Sequence, residues 1–271
     1  MTNPTGQSGT GAKADTVADE ISRIENMINS GPMQRMRQQA RSEHKNVRPK
    51  NASSIILIKG KPGNEKVVMG KRNKALKFMP GALVFPGGSV DRGDGSIQAI
   101  DQLHPHTKDK LLANMRGKST DRRAHALGVA AIRELAEETG LLVGKPCDRA
   151  PQHADWQPFA QKGMAPSVEP LRLLARAITP PGSHRRFDTW FFAMRIEDDH
   201  FQPEGGFQSS GELEDLQWIS PQDAMNHETR EITRVILVEL MRRLESDPHL
   251  SAETPAPSYV TIRNRFKRKL M

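Results

Sequence analysis

The chain has 271 residues, a formal charge of +8 and an apolar fraction of 36%. That length allows one large or two small domains, and no run approaches the eighteen apolar residues that a membrane-spanning helix needs. Cys147 is the only cysteine, which excludes intrachain disulfides and a cysteine-clustered zinc site. The N-terminus lacks the charged-then-apolar layout of a secretory signal, so a cytoplasmic soluble protein is expected.

Residues 1–50 read as a disordered or partly helical extension. Met1 to Lys13 is rich in Gly, Ser and Thr, while Val17, Ile21, Ile24 and Ile28 recur at helical spacing. Ser54 to Lys59 is a short apolar run of the buried-strand kind, and Lys61-Pro62-Gly63-Asn64 is turn chemistry. Lys66 to Lys71 resumes strand character, and Ala82 to Phe85 is the strand that delivers Gly87 and Gly88. Residues 95–132 carry no catalytic pattern. A short helix is expected from Lys108 to Met115, loop at His104-Pro105-His106, and the segment as a whole is expected to form a flap beside the site.

From Asp121 the pattern is helical, and Ala130 and Ala131 are small enough to let the helix approach a sheet. Leu171 to Ile178 and Trp190 to Met194 read as strands, followed by a late strand ending at Ile219. Ser220 caps a short helix, and residues 230–245 form an amphipathic helix through Ile232, Val235, Ile236, Leu240 and Leu244. Residues 248–271 read as a flexible tail, with Arg263, Arg265, Lys267, Arg268 and Lys269 as its basic end. Basic tails bind nucleic acid by neutralising phosphate, but no reader motif accompanies these, and only 5% of the chain is aromatic. The tails are thus the one route to nucleic acid. The order of elements gives a layered α/β or α+β domain.

The chemistry concentrates in Arg133-Glu134-Leu135-Ala136-Glu137-Glu138-Thr139-Gly140-Leu141. Residues three and four apart are neighbours on a helix, so Glu134, Glu137 and Glu138 share a face. Three carboxylates facing one way repel unless a cation sits among them, and a hard divalent ion such as Mg²⁺ takes oxygen ligands. Gly140 follows as the residue that lets the chain leave the helix. Upstream, Phe85-Pro86-Gly87-Gly88 runs into a Gly-rich loop, with five residues between Gly88 and Asp94.

Together the two pieces resemble the Nudix box, G-x5-E-x7-R-E-U-x-E-E-x-G-U. There are two departures: Asp94 stands where the family has glutamate, and residues 95–132 intervene where the family has seven residues. The resemblance implies an α/β/α sandwich with a mixed sheet over residues 51–247. It also implies Mg²⁺- or Mn²⁺-dependent hydrolysis of a nucleoside diphosphate linked to another group. By the same resemblance Glu134, Glu137 and Glu138 are the metal ligands, and Gly88, Asp94, Arg133 and Gly140 are box positions. Glu212 is the late-loop candidate for general base, with Glu214 as its alternate.

The insertion, the Phe78-Met79-Pro80-Gly81 approach and Arg185-Arg186-Phe187-Asp188-Thr189 look most like coenzyme A diphosphatases with a split box. This implies coenzyme A or acyl-coenzyme A as substrate, with Arg185, Arg186, Arg72 and Lys77 as phosphate-binding candidates. Lys71 also stands where that branch has an arginine. Hydrolysis of another nucleotide and a non-catalytic nucleotide-binding regulator are the competing readings. No membrane partner is expected, and self-association is left open.

Overall fold

The sheet assembles around β1 (Lys50–Lys59), buried from Ala52 to Ile58 because both of its faces are covered. The computed structural model describes residues 47–75, 81–196, 206–208 and 211–271, with residues 19, 22–31, 34, 35 and 39 of the N-terminal extension. The expectations for Met1 to Lys13, and for Lys77 and Phe78-Met79-Pro80, fall outside the described residues.

On one side β1 pairs in parallel with β8 (Phe187–Arg195), from Lys50 opposite Phe187 to Ile58 opposite Arg195. On the other it pairs antiparallel with β2 (Lys66–Arg72) at one end and β4 (Gly87–Ser89) at the other. β2 also holds β3 (Leu83–Val84) and β9 (Leu213–Ile219), while β7 (Arg172–Ile178) lies antiparallel to β8. β5 (Gly144–Pro146) and β6 (Met164–Pro166) form a separate two-stranded ribbon.

Side chains alternate across a strand, and the two faces of β1 feed two cores. Ile55 and Leu57 pack with Trp190 and Phe192 under Leu127, Ala131 and Leu135 of α2 (Asp121–Thr139). Ile56 and Ile58 pack with Phe191 under Val235, Ile236 and Leu240 of a long C-terminal helix (Glu231–Ser246). The expected helix–sheet–helix sandwich with a mixed sheet is the observed one. The helix from Glu231 is preceded by a short helix at Pro221–Ala224, where the Ser220 hydroxyl accepts from the Asp223 N–H at 3.0 Å, the expected cap. Between residues 95 and 247 the other helices are α1 (Pro105–Asn114) and the short α3 (Gln157–Gln161), and those at Pro221 and Glu231 are α4 and α5; residues 22–28 of the N-terminal extension are also helical.

Two expectations are corrected. The segment 95–132 is not a flap: Leu103, Leu111 and Met115 are buried in the α2-side core, and the Thr107 hydroxyl donates to the Leu171 carbonyl. Apolar residues spaced along a short helix gain more from burial than from hanging over a polar cleft. Nor is 248–271 a flexible tail. β10 (Pro257–Ile262) and β11 (Arg265–Leu270) form a hairpin, and β10 joins the sheet beside β7.

The hairpin's two-residue turn, Arg263-Asn264, has φ of 46° and 64°, the left-handed pair whose twist suits a tight hairpin. Tyr259 is fully buried, and its hydroxyl donates to the buried Glu239 carboxylate of α5. Arg268 bonds the same carboxylate at 2.6 and 3.1 Å. The N-terminal extension joins this assembly: Ile24 and Ile28 are buried in the α5-side core, and the Asn29 amide exchanges hydrogen bonds with the Phe266 backbone. The charges at the C-terminal end thus belong to the hairpin, Arg263 in its turn and Arg265, Lys267, Arg268 and Lys269 in β11.

Candidate active site

α2 sets the position of the three glutamates. Thr120 caps its start, accepting from the Arg123 N–H. Gly140 ends it at φ 76°, where its N–H still reaches the Ala136 carbonyl. The left-handed conformation strains any residue with a Cβ, which is why glycine stands there.

Arg133 is the hub, with its side chain 5% exposed. Its Nε and Nη2 reach the two oxygens of Asp94 at 2.9 and 3.2 Å, and Nη2 also donates to the Ser89 carbonyl at 2.9 Å. Nη1 lies 3.0 Å from Glu134 and 3.1 Å from Glu137. The arginine therefore ties the Gly-rich loop to the helix. Asp94 is 2% exposed and accepts from the Asp91 N–H as well, so the shorter acid still closes the pair.

The loop meets the helix through two glycines. Gly87 lies against β1, where a Cβ would come 2.5 Å from the Ser53 carbonyl oxygen, and its N–H donates to Glu138 at 2.8 Å. A Cβ on Gly88 would stand 2.5 Å from the Glu134 carboxylate. Gly88 is bare because Glu134 fills that space.

Burial pushes Glu138 up to about 8, with Glu134 and Glu212 adding to the rise against the Gly87 N–H and Arg72. Burial likewise pushes Glu134 up to about 7 despite Arg133, with Glu137 and Glu212 contributing. Glu137 is raised by burial too, against the pull of Arg133. These carboxylates are short of positive charge, and their donors are hard oxygens, so the set fits a divalent cation of the Mg²⁺ or Mn²⁺ kind. With Glu134 and Glu137 both turned to Arg133, no three candidate ligands converge on one point among the described residues.

A cleft of about 410 Å³ opens over this face. Glu134 and Glu137 line it, while Glu138, 3% exposed and bonded by the Gly87 N–H, is not among its lining residues. Glu212 also lines the cleft; its carbonyl accepts from the Asn73 N–H at 3.0 Å, which sets it beside Arg72 at the end of β2. Arg72 and Arg185 both reach the cleft. Arg186 does not: it donates to the Thr179 and Val47 carbonyls at 3.0 and 2.8 Å and braces the start of β8. Lys71 is likewise turned away, paired with Asp215 at 3.0 Å. Glu214 lies opposite Lys71 in the β2–β9 ladder and does not line the cleft.

The cleft wall also includes Phe85, Phe191 and Thr233. Thr233 comes from α5, far along the chain, and nothing local in the sequence distinguishes it from a helix-surface threonine. Among the described residues no helix is long and apolar enough to cross a membrane.

Residues 123–240 match the family model of the NUDIX domain; the matched span begins inside α2, in the last ten residues of the insertion. A Caenorhabditis elegans protein described as a nudix hydrolase is 28% identical over 189 residues, 65% of this chain and 53% of its own length. The acyl-coenzyme A diphosphatase NUDT19 of Gallus gallus is 25% identical over 238 residues, 65% of this chain and 62% of that protein. The chain therefore spans little more than half of the curated relatives it matches. The crystal structure of a NUDIX hydrolase from Alicyclobacillus acidocaldarius covers 76% of this chain and 99% of its own, with a TM-score of 0.57 at 22% identity, a likeness of fold.

Proposed function

The chain belongs to the Nudix superfamily, and from that premise we propose that its cleft hydrolyses the diphosphate bond of coenzyme A or an acyl-coenzyme A. The observation that carries the hydrolase reading is that Glu134, Glu137 and Glu212 line one cleft together with Arg72 and Arg185. The family is typically dependent on a divalent metal, and Glu134, Glu137 and Glu138 are the residues that would hold Mg²⁺ or Mn²⁺ here. Such an ion, when bound, supplies positive charge that offsets the repulsion between a diphosphate and its nucleophile.

The chain's own residues take the other parts. Arg133, fixed by Asp94, holds the glutamate face at a set distance from the Gly-rich loop. Arg72 and Arg185 bind phosphate oxygens through charge-assisted hydrogen bonds. Glu212 accepts a proton from the attacking water, whose oxygen forms the new P–O bond as the anhydride P–O bond breaks. The products are 3′,5′-ADP and (acyl-)phosphopantetheine. The coenzyme A assignment is supported by the likeness to a protein named as an acyl-coenzyme A diphosphatase and by two arginines in one cleft. A non-catalytic regulator would have no need for three intact box glutamates.

The test is a hydrolysis screen with Mg²⁺ or Mn²⁺ over coenzyme A, acyl-coenzyme A, NADH, ADP-ribose and capped RNA, with products identified by mass. Cleavage of a coenzyme A species, lost in Glu138→Gln, is expected. Intact coenzyme A beside consumed ADP-ribose or capped RNA overturns the substrate; no cleavage of any overturns the enzyme.

A further inference from the structure

Two buried polar atoms without a partner belong to residues that are neighbours in the sheet beneath the helix of the three glutamates. They are Ser53 Oγ and Trp190 Nε1. Ser53 is opposite Trp190 in the parallel β1–β8 pair and opposite Gly88 in the antiparallel β1–β4 pair. Opposed residues in a sheet point to the same face. Trp190 lies in the core beneath α2, and the open side of Gly88 faces the Glu134 carboxylate. Gly88, Ser53 and Trp190 therefore form one row under α2, with Glu134 above its first member. The row continues to Arg176, whose guanidinium sits 4.3 Å over the Trp190 ring.

Ser53 and Trp190 are both fully buried, yet Ser53 is part of the cleft lining. Its neighbour Ser54 has spent its hydroxyl on the Pro86 carbonyl, so the orphan is specific to the α2 face. An indole N–H can only donate, while a serine hydroxyl both donates and accepts. Leaving either without a partner in a core is costly, and buried water is the usual remedy where polar atoms cluster.

We propose that Ser53 and Trp190 form a buried water site that positions Glu134. Trp190 Nε1–H donates to the water, the water donates to Ser53 Oγ, and the Ser53 hydroxyl proton is left to donate to the Glu134 carboxylate. The chain gives Glu134 a neutral donor on the side away from Arg133. The carboxylate is thus held in the cleft even when it lets go of the arginine. Ser53 and Trp190 are positioning residues that touch no substrate. Their kinetic role rests on the hydrolase reading above, but the water itself does not.

The test combines a crystal structure of the full chain with kinetics of Ser53→Ala on whichever substrate is cleaved. An ordered water within hydrogen-bonding distance of both Ser53 Oγ and Trp190 Nε1 is expected. In Ser53→Ala a kcat about tenfold lower, KM within twofold of wild type and an unchanged Tm are expected, as for one lost hydrogen bond to a charged group. A direct bond between the two side chains, or no density there, overturns the water site. A folded Ser53→Ala protein with wild-type kcat overturns the positioning role. If no substrate is cleaved at all, the hydrolase reading fails and the crystal structure still decides the water.

Discussion

Arg133 and Asp94 meet as a buried two-pronged ion pair, at 2.9 and 3.2 Å, although residues 95–132 separate them in the chain. The insertion leaves and returns without disturbing the contact, because a turn at Asp94–Ser96 and the first turns of α2 are packed together at its ends. Gly95 shows how tight that junction is: a Cβ there would lie 3.0 Å from Arg122. Removing one partner of a buried pair leaves the other charge stranded. Asp94→Asn should therefore lower stability by about 3 kcal/mol, read as a shift of the urea midpoint. Wild-type stability in that variant would mean that Glu134 and Glu137 alone satisfy Arg133.

Gly88→Ala tests the approach of loop to helix. The nearest atoms to the new methyl are the Glu134 carboxylate at 2.5 Å, the end of a side chain that can swing aside without moving the backbone. The fold should survive, with Tm within a few degrees, while the rate falls at least roughly tenfold, since small displacements at a reacting centre are expensive. A Tm collapse would show instead that the strand pairing of Gly88 with Ser53 cannot accommodate the methyl.

The helix face was legible in sequence because it depends on local spacing: Glu134, Glu137, Glu138 and Gly140 fix one another within two turns. The pairing of Asp94 with Arg133 was legible only through the resemblance, since no local rule joins positions so far apart. The C-terminal hairpin was missed for a physical reason. Arg265-Phe266-Lys267-Arg268-Lys269-Leu270 looks like a solvated charge run, yet Phe266 and Arg268 point inward and exposed Lys267 and Lys269 outward. Exposed lysines on an edge strand are also a defence against edge-to-edge pairing. Asn264 in the turn was the available signal, a residue that tolerates the left-handed conformation. Arg185 and Arg186 could not be separated in sequence, because only the entry angle of β8 decides which one faces the cleft.

The hairpin makes its own prediction. Arg268→Met leaves the Glu239 carboxylate, 5% exposed, with Tyr259 as its remaining partner. The Arg268 side chain is 27% exposed, so the loss should be about 2 kcal/mol, below the cost of breaking a fully buried pair. Truncation after residue 247 should cost more, because it also uncovers β7 and removes Tyr259 from the α5-side core. If residues 51–247 melt at the temperature of the full chain, the hairpin is an ornament.

Asp101, at the base of the insertion, gives a dependence on pH. Burial alone would raise its pKa. The Ser167 hydroxyl, the Glu169 and Val168 N–H groups and Lys145 outweigh that, and the net shift is below the ordinary aspartate value of 3.8. A folded-state value below the unfolded one means stability that is fully present above pH 3.8 and is lost as pH falls through the folded value. Asp101→Asn should therefore lower stability at pH 7 by about 1 kcal/mol and lessen the further loss on acidification. Parallel acid-denaturation curves for the two proteins would show that Asp101 carries none of it.

The cleft places one arginine of the Arg185-Arg186 pair within reach of a substrate, and this sharpens the question of the coenzyme A 3′-phosphate. That group lies apart from the diphosphate, so a selective site needs a cation away from the glutamate face. Arg185 is the candidate: it lines the cleft together with Glu212 and Arg72, whereas Arg186 donates to two backbone carbonyls and does not line it. A charge-assisted arginine–phosphate bond contributes on the order of 1.5–3 kcal/mol, about ten- to over a hundredfold in affinity. Removing the 3′-phosphate should lower kcat/KM by about that factor in the wild type and hardly at all in Arg185→Ala. Arg186→Ala should lose stability without changing the ratio between the two substrates, since Arg186 braces the Thr179 and Val47 carbonyls and does not line the cleft. Equal rates of wild-type protein on coenzyme A and its 3′-dephospho form would remove Arg185 from substrate recognition. A ratio that collapses in Arg72→Ala instead would assign the 3′-phosphate to Arg72, beside Glu212.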